Sequence, residues 1–104
     1  MIIEIADIRV KPGCGIEFEE AVLSALDAVF PKASGFIGHR FHRGIESPHR
    51  YVLQLSWETL EHHTVEFRGS PLFSEWRSMV GAYFAEPPQV EHFLIVCNSE
   101  IEQG

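Results

Sequence analysis

The sequence has little of what several common chemistries need. Cysteine occurs only as Cys14 and Cys97, neither in a CxxC or other ligand-like spacing, so a structural zinc site has no thiolate framework. With no secretory context the two thiols are expected to be reduced, Cys97 packed in a strand and Cys14 in a turn flanked by glycines. Positive charge is scarce too. Eight Lys and Arg, spread along the chain, face fifteen Asp and Glu, for a formal net charge of −7. Phosphate backbones are held by clustered Lys and Arg, so nucleic acid is not an expected partner. No apolar run approaches the roughly 20 residues that cross a bilayer, so no membrane partner is expected. The opening MIIEIADIRV carries Glu4 and Asp7 in its apolar stretch and lacks a basic leader. That does not fit a signal peptide, and a cytoplasmic location is expected.

Signatures of nucleophilic and phosphate chemistry are also missing. There is no Gly-x-Ser-x-Gly elbow and no cysteine beside an activating partner, while Gly13-Cys14-Gly15 lacks the rest of a dinucleotide fingerprint and reads as a turn. Six histidines raise the question of a metal, but their spacing argues against one. His39 and His42 lie three apart on an expected strand and point to opposite faces, and His62 and His63 are helical neighbours about 100° apart. No HxxxH or HExxH occurs, so no metal is expected.

Rings and apolar periodicity are abundant. Eight Phe, two Trp and two Tyr in 104 residues imply a ring-rich core or pocket, and the length fits one domain, taken as residues 1–104. Ile2 to Val10 is β-rich, with Ile2, Ile8 and Val10 on one parity and Ile3 and Ile5 on the other. Lys11 to Gly15 is a turn. From Ile16 to about Phe30, apolar residues at Ile16, Phe18, Val22, Leu23, Leu26, Val29 and Phe30 follow a period near 3.6, which predicts a helix. Glu17, Glu19 and Glu20 crowd its first turns as a solvated face favoured by the helix dipole.

Pro31 ends that helix, and Gly35 to Ile45 predicts a second strand. Arg50 to Glu58 predicts a third, paired with it as a hairpin, in which Tyr51, Leu53, Leu55 and Trp57 share a face. Thr59 is placed to cap a short helix through Glu66. Ser70-Pro71 caps another, which buries Leu72, Phe73, Trp76, Val80, Tyr83 and Phe84 and stops at Pro87-Pro88. Val90 to Cys97 is the last strand.

The order β-α-β-β-α-β is that of a ferredoxin-like α+β fold with a four-stranded antiparallel sheet. Helices on one side leave the other sheet face open. Apolar residues on both parities of the first and last strands make that face a patch for a second copy, so a homodimer is expected.

A cluster of rings and bases follows the third strand: Trp57, His63, Phe67, Arg68, Phe73, Trp76 and Arg77. Mostly apolar walls with a few polar groups are the usual make-up of a small-molecule site. His63 suits proton transfer near neutral pH, and Arg68 or Arg77 suits an oxyanion. The same rings also suit a plain core, His63 a buried hydrogen bond, and the same arginines surface or subunit ion pairs.

The stretches Trp57-Glu58-Thr59-Leu60-Glu61-His62-His63-Thr64, Phe67-Arg68-Gly69-Ser70-Pro71-Leu72-Phe73, Glu75-Trp76-Arg77 and Val90-Glu91-His92-Phe93 resemble the antibiotic biosynthesis monooxygenase (ABM) family. The resemblance covers almost the whole chain. It implies a dimeric α+β barrel and, as in characterised members, oxygenation of a small aromatic or quinol with neither metal nor organic cofactor. Trp57 matches the Trp that ends the third strand in polyketide-oxidising members. Leu53 stands where those members have Asn, and His63 where they have Tyr. In the haem-degrading branch the strand-one Asn falls on Asp7 and the ligand His near Arg77, and Arg does not ligate iron as His does. The expected function is therefore a cofactor-independent monooxygenase-like protein with Trp57 and His63 catalytic and Arg77, Phe67, Arg68, Phe73 and Trp76 binding substrate. The alternatives are a non-catalytic small-molecule-binding or stress-related dimer of the same fold and, third, a haem binder.

Overall fold

A computed structural model describes residues 1–99; the single-domain reading also takes in residues 100–104, which lie outside the described residues. Four strands form one antiparallel sheet: β1 (Ile2–Arg9), β2 (Phe36–Arg43), β3 (Arg50–Trp57) and β4 (Gln89–Leu94), in the order β2-β3-β1-β4. The helices α1 (Gly15–Ala28) and α2 (Pro71–Val80) supply the two crossovers of a ferredoxin-like α+β fold.

Strand parity decides which side the helices cover. On β3 the alternating residues Tyr51, Leu53, Leu55 and Trp57 are all buried, as their spacing predicts. Register sets Glu4 of β1 opposite Leu55 and Ala6 opposite Leu53, so Glu4, Ala6 and Ile8 share that covered face. Against it α1 packs Phe18, Val22, Ala25 and Leu26. Val80 of α2 is fully buried, while Leu72, Phe73 and Trp76 pack at the margin.

Aromatic rings gather at the two ends of β3. Phe18 stands 5.0 Å from Tyr51 and 6.0 Å from Phe41 at one end. Trp57 lies 5.5 Å from Phe36 and 5.4 Å from Phe67 at the other. Between them the sheet presents Glu4, Ala6, Ile8, Leu53, Leu55 and Val90, and a cavity remains between these side chains and the rings of α2.

Several local expectations are corrected. Ile16 and Leu23 of α1 are 75% and 58% exposed, because the core stripe runs through Phe18, Val22 and Ala25 instead. The segment after β3 is not a short α-helix capped by Thr59. After a brief start it widens into a π-type turn over His62–Phe67, in which the Arg68 N–H donates to the His63 carbonyl. Thr59 Oγ1 still accepts the His62 N–H at 3.3 Å. Pro71 does open α2, but the Ser70 hydroxyl donates back to the Phe67 carbonyl at 2.7 Å rather than capping. That helix ends at Val80, ahead of Tyr83, Phe84 and Pro87-Pro88. β4 stops at Leu94, whose partner Ile2 is the first residue of β1, so Cys97 is exposed and outside any strand.

Glu19 is more than a solvated charge. Arg43 of β2 grips it through two nitrogens at 2.7 and 3.0 Å, and the Tyr51 hydroxyl donates to it at 2.7 Å, pinning α1 to the sheet. No helix among the described residues is long and apolar enough to cross a membrane.

Candidate functional site

The polar heart of the molecule is built from β1, β3, β4 and the π-type turn. Glu4 occupies the covered face of β1 and is 6% exposed. Directly across β1–β4 register lies His92, and the turn lowers His63 between the two. The extra residue in the π-type turn keeps His63 and Phe67 both buried while Arg68 emerges at its end.

Hydrogen bonds link these groups in a line. The Trp57 indole Nε1 donates to Glu4 Oε1 at 2.9 Å, and His63 Nε2 stands 3.2 Å from the same oxygen. On its other side His63 Nδ1 lies 2.8 Å from His92 Nε2. The Trp57 and His63 rings stack with centroids 5.3 Å apart, which fixes the plane of the imidazole. Among the described residues every buried side-chain nitrogen and oxygen has a partner. The three acid–base groups meet edge to edge rather than around a point, and no group of three His, Cys, Asp or Glu among the described residues could hold a metal ion.

Burial sets the charges. It pushes the Glu4 carboxyl up to about 7, against the opposing pull of the Trp57 hydrogen bond and the Arg68 guanidinium. The same burial, aided by Arg68 and then His92, holds His63 down at about 4. His92, half-buried, is also lowered, first by burial and then by Arg68. Near neutral pH both imidazoles are uncharged, while Glu4 sits where it exchanges its proton most readily.

Glu4 and His63 form one wall of a cavity of about 390 Å³, within the range of small-molecule sites. Phe30, Phe67, Phe73 and Trp76 supply rings, Ala6, Leu53 and Leu55 the floor, and Arg68 and Arg77 the cationic rim. The Arg77 guanidinium rests 6.0 Å from the Phe73 centroid and 5.8 Å from that of Phe84. Neither Arg68 nor Arg77 forms an ion pair with a described residue of its own chain, so the surface ion pairs expected as one alternative for them are not formed within the chain.

Six of the seven residues singled out from sequence thus line one cavity: His63, Phe67, Arg68, Phe73, Trp76 and Arg77. Trp57 is placed differently from a cavity wall. It is fully buried behind the lining and acts on the site through Glu4 and His63. Sequence reasoning missed Glu4 and His92. The available signal was parity: Glu4 shares its face with Ile2 and Ile8, and a carboxylate on a buried parity needs partners.

A family model for antibiotic biosynthesis monooxygenases matches residues 1–79. The chain belongs to the antibiotic biosynthesis monooxygenase family. Among solved structures of this family, one from Bordetella bronchiseptica is 49% identical, with a TM-score of 0.89, covering 92% of this chain and 97% of that one. The uncharacterized protein YczJ of Bacillus subtilis (strain 168) is 38% identical over 93 residues, 89% of this chain and 97% of its own. SnoaB of Streptomyces nogalater, a cofactor-independent oxygenase solved as a mutant, is 18% identical with a TM-score of 0.78, covering 93% of this chain and 94% of its own. At that identity the likeness shows the fold alone. ABM membership supports a monooxygenase-like function.

Proposed function

We propose that this protein is a cofactor-independent monooxygenase acting on a small aromatic or quinol substrate, and that it works as a homodimer. The observation that carries the reading is the convergence of His63 with two arginines outside any described ion pair, Arg68 and Arg77, on one ring-lined cavity. Rings stack on an aromatic substrate, and a cationic rim favours its aryl oxide form over the neutral phenol. An electron-rich aryl oxide or quinol anion can itself give an electron to O₂, so the protein's tasks reduce to binding, orientation and proton handling. His63 is the proton shuttle, Arg77 the anion anchor, and Trp57 holds the imidazole and Glu4 from behind. ABM membership, and the cofactor-independent activity of SnoaB within the same fold, support this assignment.

The dimer follows from the sheet face the helices leave bare. Ile3, Ile5, Val52 and Phe93 lie there, and Phe93 is 48% exposed. A second copy packed sheet to sheet would cover them.

Metal-free protein incubated with a panel of quinols and anthrones, with O₂ uptake followed, tests the activity. Uptake that depends on His63 is the expected result. Rates no greater than those of a His63→Ala control across the panel overturn it.

A further inference from the structure

The proton chemistry has a second end that the cavity does not use. Glu4 opens onto the cavity, but the line of hydrogen bonds leaving it runs away from the cavity, through His63 to His92. His92 is not among the cavity-lining residues and sits half-buried on β4, an edge strand of the sheet. Each link is within hydrogen-bond reach, at 3.2 Å from Glu4 to His63 and 2.8 Å from His63 to His92.

We propose that Glu4 is the acid–base group of the cavity, that it accepts the hydroxyl proton of a phenol, naphthol or hydroquinone bound there, and that it exchanges its proton with solvent through His63 and His92 at the sheet edge. This deepens the oxygenase reading and rests on it for the substrate class. In the first step the substrate O–H bond breaks and a carboxyl O–H forms; the aryl oxide keeps the electron pair, and the negative charge moves from Glu4 to the substrate beside Arg68 and Arg77. In the exchange step the Glu4 O–H proton goes to His63 Nε2, the His63 Nδ1 proton goes to His92 Nε2, and the His92 Nδ1 proton goes to water. One proton leaves the protein, Glu4 becomes the anion again, and both rings finish neutral with hydrogen on Nε2. Nothing is oxidised or reduced in either step. The reverse sequence brings a proton in.

The consequence is that the charge of Glu4 equilibrates with water even when a substrate fills the cavity. The charged and titratable groups facing Glu4 are His63 and Arg68 from the turn, His92 from β4 and Arg77 from α2 across the cavity, while β3 contributes the Trp57 N–H. Among the described residues only His63 bonds both to Glu4 and onward.

Nitrogen-15 NMR of the imidazole rings reads the chain without any turnover. In the wild-type protein His63 and His92 should pass together from the Nδ1–H to the Nε2–H tautomer as pH rises from 6 to 8, and Glu4→Gln should abolish the passage. Tautomers that stay constant over that range overturn the proposal, whatever the quinol panel does. A positive titration with an inactive panel leaves the chain standing and removes only the oxygenase reading.

If Glu4→Gln does not fold, His92→Phe decides. Exchange of the His63 ring N–H with water should slow at least tenfold in that variant, and unchanged exchange overturns the route. In turnover, His92→Ala should lose rate and recover it with added imidazole, a rescue that a purely structural role for His92 does not give.

Discussion

Glu4 and Trp57, on neighbouring strands, are joined by an indole N–H that donates to the carboxylate at 2.9 Å, and neither side chain is in contact with bulk water to any extent that matters. A buried carboxylate held by a single indole and an imidazole depends on both donors.

Trp57→Phe keeps the ring and removes the donor. The carboxylate then loses its strongest compensation, and Glu4 should move further up. Stability should fall by about 1–3 kcal/mol at pH 8, where the carboxylate form must be sustained, and by less at pH 5.5, where the acid is neutral. Urea unfolding at the two pH values measures the difference, and equal losses would contradict the link between the indole and the charge.

Glu4 and His63 act oppositely on stability as pH changes. The folded Glu4 carboxyl lies near 7 and the unfolded one near 4.5, so its contribution is present at low pH and is lost as pH rises through that window, on the order of 1–3 kcal/mol. His63 is the mirror case: with its folded value near 4, its contribution is present above its ordinary 6.5 and is lost as pH falls toward 4. Between pH 4.5 and 6.5 the two effects therefore oppose each other, and the wild-type protein should show a weaker pH dependence than a variant that keeps only one of them. Glu4→Gln leaves only the histidine effect, and thermal unfolding of that variant should show stability climbing with pH across the same range.

Arg77→Met keeps an apolar stem over Phe73 and removes the charge. Binding of an ionised naphthol should weaken about tenfold, equivalent to about 1.4 kcal/mol, while a neutral methyl ether analogue should bind as before. Isothermal calorimetry with the two compounds separates an anion anchor from a packing residue.

Ile3 lies on the open sheet face opposite Ser56 and Phe93. Ile3→Asp should change the mass seen by light scattering from twice the 11.8 kDa chain to the chain itself, with circular dichroism unaltered. A wild-type protein already at the single-chain mass at micromolar concentration removes the dimer.

Legibility varied with the range of the interaction. The alternation of Tyr51, Leu53, Leu55 and Trp57 predicts a one-sided strand because side-chain direction on a strand depends only on parity, and all four are buried. In α1 the apolar residues form more than one stripe, and which stripe faces the sheet is set by the helix's rotation against its neighbours; Ile16 and Leu23 ended outside. The end of β4 was illegible for the same reason. The residues after Leu94 are apolar enough for a strand, but a strand needs a partner, and β1 supplies none beyond Ile2.

The site divides along the same line. His63, Phe67, Arg68, Phe73, Trp76 and Arg77 belong to two consecutive segments, so chain proximity alone brings them near one another, and the sequence by itself determined that set along with the order of strands and helices. It also determined that Trp57 would be buried. Only the tertiary structure decided that Glu4 meets His92 across two strands from opposite ends of the chain, that a π-type turn places His63 between them, and that Trp57 stands behind the cavity rather than in its wall. The physical reason is that register, turn pitch and cavity position are settled by the simultaneous packing of distant segments, and no local pattern of residues contains them.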